Sequence, residues 1–220
     1  MINEIKVKRL RNSITQAVNI PLLFKVENVE YQNISVVNWS ETYPYQPNVT
    51  FAIAHDSKNI YLHYKVKENC VRSVEDTDLG NVWEDSCCEF FVMPDDKKGY
   101  YNIEANCIGS ILLCYGKERE KREAANSSIL SCIDRWASLG RRALGVIHNM
   151  ESVWELSLII PASSFFKHNI KSLDGLVMKA NFYKCGDKTD NPHFLSWKKI
   201  ELPKPDFHCP DFFGTLVFEY

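Results

Sequence analysis

At 220 residues the chain fits one large β domain, residues 1–220, and no linker divides it. Its 45% hydrophobic and 12% aromatic content is ample for a core, while 28 acidic against 26 basic residues give a formal charge of -2 with no basic stripe, which argues against nucleic acid or an anionic membrane as partner. No run approaches the ~18 apolar residues of a membrane span, and MINEIKVKRL lacks an apolar signal core. The expected location is cytoplasmic as the sequence stands, or extracytoplasmic if a leader was trimmed.

From Met1 to about Asn38, short apolar runs such as IPLLFKV are broken by Asn and Glu, and an edge strand or two is expected. Asn38 to Pro47 is an aromatic, Pro-punctuated loop. Thr50 to His55 and Asn59 to Val66 read as a hairpin across Asp56, Ser57 and Lys58, with His63 on a surface face. The segment ENCVRSVEDTDLGN, with Asp76, Asp78 and Gly80, has some likeness to an oxygen-rich calcium loop. It lacks a third carboxylate at loop spacing and a terminal Glu, so a solvated acidic loop is the preferred reading and calcium the alternative.

The stretch VWEDSCCEFFVMPDDKKGYYNIEANCIG, Val82 to Gly109, organises the rest. Alternation puts Cys88, Phe90 and Val92 on one face of its first strand, and Cys87, Glu89 and Phe91 on the other. A symmetrical turn over Pro94 to Gly99 sets Phe90 against Ile103 and Val92 against Tyr101, a core face. The same register sets Glu89 opposite Glu104 and Cys87 opposite Asn106, with Trp83 on the rim. Lys179 and Arg72 are the cations expected near this carboxylate pair.

Ser110 to Tyr115 continues as a strand, GKEREKREAAN is a charged excursion, and Ser128 to Trp136 has helical spacing at Ile129, Leu130, Ile133 and Trp136, the last as a packing residue. Trp154 to Ile160 is a strand and PASSFF a brief helical turn. Leu176 to Lys184 is a strand with Lys179, Asn181 and Tyr183 on one face. A long polar loop then ends in FLSW, which makes Trp197 a second aromatic candidate. Strands dominate, so the fold class is all-β: an antiparallel β-sandwich, immunoglobulin-like or jelly-roll-like, with one or two short helices. The eight cysteines contain no C-x-x-C pair and read as reduced, mostly buried thiols, one or two bridges being the alternative.

A sugar site needs a flat apolar surface for the C–H face of the ring and planar polar groups for the hydroxyls. Trp83 and Trp197 as walls, over Glu89, Glu104, Asn106, Asn181 and Tyr183 as floor, meet both needs; the alternative is that both indoles are core residues. From about Asn38 to Tyr220, the motifs WEDSCCEFFV, YYNIEANCIGSILLCYG, NPHFLSW and PDFHCPDFFG resemble those of domains related to carbohydrate-binding module family 9. The resemblance implies a β-sandwich that binds mono- or oligosaccharides without catalysis, often at a chain end. It implies no required cofactor, structural calcium in some members, and a carbohydrate-active enzyme as a candidate partner. It assigns the sandwiching indoles to Trp83 and Trp197 and the hydroxyl-binding carboxylate to Glu89. Haem-binding relatives share the fold, but His193 and Met178 have no spacing of an axial pair. Two other readings stay open: a glycoside-processing enzyme using Glu89 and Glu104, and a structural or partner-binding domain with a decayed sugar site.

Overall fold

The computed structural model describes residues 4–95 and 99–220. In chain order the strands are β1 Glu4–Arg9, β2 Gln32–Asn33, β3 Val36–Val37, β4 Asn48–His55, β5 Asn59–Glu68, β6 Val71–Ser73, β7 Cys87–Met93 and β8 Tyr100–Asn106. There follow β9 Ile111–Gly116, β10 Glu123–Ala124, β11 Asp134–Ala137, β12 Gly145–Ile147, β13 Ser152–Pro161, β14 Val177–Cys185, β15 Phe194–Ser196 and β16 Gly214–Phe218. Helix α1 spans Ile20–Glu27 and α2 Ser127–Ser131.

One curled sheet runs β10-β9-β8-β7-β14-β16-β1-β4-β5-β13-β11 and folds over on itself. The turn is made at β1, which pairs in parallel with β16 through Glu4 to Val7 and then with β4 through Lys8 and Arg9. The facing halves enclose the main core, where Phe90, Ile103 and Phe182 from one half meet Phe51, Leu62 and Trp154 from the other. The architecture is the expected all-β sandwich, antiparallel except at β1. The first strand is thus not an edge but the link between the two halves.

The central hairpin has the register read from the sequence: Phe90 pairs Ile103, Val92 pairs Tyr101, Glu89 pairs Glu104 and Cys87 pairs Asn106. Of its expected turn, residues 96–98 lie outside the described residues, as do residues 1–3.

Three local expectations are corrected. The IPLLFKV run is a helix: Pro21 sits in its first turn, Asn28 closes it at φ 53°, and Ile20, Leu23, Phe24 and Glu27 form the buried stripe. This helix covers the outer face of β4, β5 and β13, against Ala52, Ala54, Tyr61 and Ile159. His63, expected at the surface, is fully buried there, hydrogen-bonded at Nδ1 to Ser157 Oγ (2.8 Å) with its ring against Tyr31. The helix expected over Ser128–Trp136 ends at Ser131, because Asp134–Ala137 pairs instead with β13 and sheet hydrogen bonding overrides the helical spacing. Asn126 caps the shortened helix by accepting from Ile129 N at 3.0 Å. All eight cysteines carry free thiols, six of them buried. No helix among the described residues is long and apolar enough to cross a membrane.

A buried ion pair crosses between the two halves. Lys184 Nζ on β14 lies 2.9 Å from Glu68 Oε2 on β5, both side chains wholly inaccessible. Trp154 Nε1 donates to Glu68 Oε1 at 2.6 Å, and Lys184 Nζ also reaches Cys185 O and His193 Nε2. Breaking one side of such a pair strands the other charge, so Lys184→Met is expected to cost about 3–5 kcal/mol of stability. Urea denaturation reads this; a loss of only the ~0–1 kcal/mol of an exposed pair would show that the clamp does not hold the halves together.

Candidate functional site

The outer face of the β7–β8–β14 half carries Cys87, Glu89, Phe91, Glu104, Tyr183 and Cys185. A surface of alternating carboxylates and aromatics would ordinarily be wet. Here it is roofed by chain that arrives from elsewhere: Trp39, Ile200 and Phe207 pack on Phe91, Tyr100 and Tyr183 in a second apolar cluster. Under this roof lies a cavity of about 220 Å³, a little below the ~300–1,000 Å³ typical of drug-sized ligands.

Glu89, Asn102 and Glu104 form the cavity floor, with Leu112 and Cys114 beyond them. Trp83, Phe194 and Phe207 are the aromatic walls, and Arg119, Arg122, Asp187, Asp206 and His208 the polar rim. Trp83 sits on a 3-10 turn, Val82–Glu84, and remains half-buried. Its position is fixed by backbone: Trp83 O accepts from Asp187 N at 3.3 Å, and Lys188 N donates to Glu84 O at 3.0 Å. Asp85 secures the turn from beneath, its Oδ2 accepting from Val74 N, Glu75 N and Asn106 Nδ2. Phe207 lies flat on Tyr183, ring centres 4.1 Å apart and 7° from parallel, with Phe194 edge-on to it.

Glu89 and Glu104 are only 3% and 4% exposed, too little for water to screen them. Burial, and then the charge of Glu104 opposite, pushes the Glu89 carboxyl well above the usual range. Burial pushes Glu104 up to about 7, against the hydrogen bond from Asn102. Asn102 Nδ2 donates to Glu104 Oε1 at 2.8 Å, and Arg122 Nε in turn donates to Asn102 Oδ1 at 2.8 Å. Burial also raises Asp187 to about 6 and lowers His208 to about 3, so the imidazole is neutral and its Nδ1 shares a hydrogen bond with Tyr100 Oη. The carboxyl pair on the floor therefore still retains a proton near neutral pH, so it can donate as well as accept.

Of the residues expected at the site, Trp83, Glu89 and Glu104 come together on this cavity. Four others are placed elsewhere. Trp197 is 8% exposed in the inter-sheet core, edge-on to Phe51 and Phe182, because its backbone N–H donates to Phe182 O and turns the ring inward. Asn106 is spent on Glu75 O, Asp85 and Ser110 N. Asn181 is spent on the backbone of Phe182 and Lys198. Tyr183 Oη donates to Phe207 O under the stacked ring. The expected cations are elsewhere too: Lys179 bonds Thr215 Oγ1 and Arg72 pairs with Asp85. Asp78, of the acidic loop, is held by Arg135 through two bonds of 2.6 and 2.9 Å, and Asp76 faces solvent, so the pair is not assembled as an oxygen cage. Both ring nitrogens of His193 are taken, by Lys184 and Asn191 O, and Met178 is in the core.

An ordinary carboxyl releases its proton near ~4.3, whereas the fold retains that of Glu104 to about 7. The folded state binds more protons across that window, so this group's contribution to stability falls as pH rises through it. Glu104→Gln cannot ionise. Its stability relative to the parent chain is expected to grow between about pH 4.5 and 8, by on the order of 2 kcal/mol, in paired urea titrations. Neutral buried histidines such as His63 and His208 oppose this trend in both proteins and cancel in the difference. A difference that stays flat with pH would mean that Glu104 is ionised throughout.

The sequence profile of carbohydrate-binding family 9 matches residues 18–218. A solved structure described as that of "a putative carbohydrate-binding protein from Bacteroides uniformis" is 47% identical over 98% of this chain and 99% of its own, with a TM-score of 0.95. A family 9 carbohydrate-binding module from Caldicellulosiruptor kristjanssonii shares the fold in two structures. Its complex with cellotriose is 12% identical with a TM-score of 0.61, covering 98% of this chain and 93% of that one. Its complex with glucose is 14% identical with a TM-score of 0.56, covering 98% and 95%. No curated protein matches the sequence. With the family profile matched almost end to end and a 47% identical structure of the same fold, the chain belongs to carbohydrate-binding family 9.

Proposed function

We propose that the cavity between Trp83 and Phe207 binds the end of a neutral mono- or oligosaccharide and releases it unchanged. The observation that carries this reading is a half-buried indole beside a carboxyl pair that retains a proton, around a cavity of about 220 Å³. The indole face suits the C–H surface of a pyranose, and a carboxyl pair that retains a proton can both donate to hydroxyls and accept from them. Family membership supports the class of ligand, and the Caldicellulosiruptor module was solved with glucose and with cellotriose. Binding is expected to be weak, because a few ring contacts must first offset the ordering of both partners.

Calorimetric titration with glucose, cellobiose and cellotriose tests the reading. Trp83→Ala is expected to weaken binding at least ~10-fold, about 1.4 kcal/mol, with an unchanged thermal melt. Trp197→Ala is expected to do the reverse, lowering stability by about 3–5 kcal/mol as a large core truncation does. Unchanged affinity in Trp83→Ala would remove the indole from the site. Release of sugar products during the titration would move the carboxyl pair from binding to glycoside hydrolysis.

A further inference from the structure

We propose that Cys87, Cys185 and Glu89 form a binding site for a thiophilic divalent cation of the zinc class, set into the cavity floor. Cys87 and Cys185 are direct cross-strand partners of β7 and β14, so both sulfurs leave the sheet on the same face, and Glu89 follows two positions along on that face. One ligand atom from each of the three lies within 4.8 Å of the other two, and Cys185 Sγ is 3.0 Å from Glu89 Oε1. Modest side-chain rotation brings such atoms to the ~2.0–2.3 Å at which zinc binds oxygen and sulfur.

The donor set selects the ion. Two thiolates and one carboxylate suit zinc, whereas calcium and magnesium require oxygen throughout. Coordination forms two metal–sulfur bonds and one metal–oxygen bond, and the displaced thiol and carboxyl protons pass to solvent. A divalent charge would add to the field that Arg119 and Arg122 already place on the carboxyls from the rim, where Arg122 is engaged by Asn102 and the carbonyls of Tyr100 and Glu118, and Arg119 leans on Asp206. Three protein ligands leave a fourth position, and because Cys185 and Glu89 both line the cavity, that position opens towards it. An ion there would take a water or a ligand hydroxyl. The site shares Glu89 with the proposed saccharide floor, and its test contains no sugar, so its outcome is read separately from saccharide binding.

The test is a titration of reduced, metal-free protein with cobalt(II) and no sugar, followed by near-ultraviolet thiolate-to-cobalt charge transfer and by displacement with zinc(II). One equivalent is expected to produce the band. Cys87→Ser and Cys185→Ser should each weaken it and the double substitution abolish it. Glu89→Gln should weaken binding by more than the ~10–100-fold that losing an outer-sphere partner costs. Cys114→Ser, whose sulfur lines the cavity outside the cluster, should leave the band intact. X-ray absorption on the unsubstituted zinc adduct needs no variant to fold, and two sulfurs at about 2.3 Å are expected. Absence of the band, its survival in the double variant, or a shell of nitrogen and oxygen alone would overturn the assignment.

Discussion

The buried pair of Lys184 and Glu68 is the constraint on which the rest of the molecule depends. Lys184 belongs to the row of β14 that faces the core, next in line after Ala180 and Phe182, and it ends that row with a charge. Burial acts to lower its pKa, but Glu68 beside it, with the nearby cysteines, more than offsets this and holds the ammonium above its ordinary range. His193 accepts from the ammonium and stays neutral, held well below the usual imidazole range by burial and by that same charge. Every polar atom drawn into the cluster thus fixes a different segment: the end of β5, strand β13 through Trp154, and the loop before β15. Cys185 and Asp187, which face the cavity, are the next residues along the chain. The clamp that joins the two halves therefore also sets the cavity wall.

The outer face of β7 and β8 shows how a polar surface becomes a site. Like charges directly opposite on a sheet destabilise it, and here Glu89 and Glu104 are covered as well. The fold meets this cost by keeping protons on the pair and by orienting Asn102 against Glu104 with Arg122 behind it. Roofing chain from Trp39 and from residues 200–213 covers this face without filling the space, and Pro205 to His208 line the cavity as a wall.

Strict alternation made the central hairpin legible. Its register follows from placing one apolar row inward, and a slip of one residue would have exchanged the core for the carboxyls. Alternation assigns a residue to a face and is silent about what covers that face. His63 and the floor carboxyls are buried because α1 and the C-terminal segment arrive from 30 or more positions away, which no local pattern encodes. Trp197 misled for a related reason: a Trp at the end of a polar loop looks available, but its direction is set by one backbone hydrogen bond to Phe182. The polar residues Asn106 and Asn181 have the right chemistry for hydroxyls, yet buried backbone had first claim on it. Phe194 and Phe207 lie inside the motifs NPHFLSW and PDFHCPDFFG, and the signal that could have found them was the pairing of those motifs with a long loop.

Floor and roof thus come from opposite ends of the folding problem. Glu89 and Glu104 are neighbours through a hairpin, a contact of short sequence separation, whereas Phe207 reaches the cavity from far along the chain. Contacts of long separation carry the larger closure entropy, although it grows only slowly with the length of the loop. Trp83 belongs with the hairpin, since Asp85 fastens its turn to Glu75 and Asn106 on neighbouring chain. The indole and the carboxyls are consequently preorganised together, while the Phe207 wall is fastened by its stack on Tyr183 and the hydrogen bond beneath it. A ligand seated between Trp83 and Phe207 would bridge the two sets, so its binding free energy would add to the contacts that hold the Phe207 wall to the hairpin.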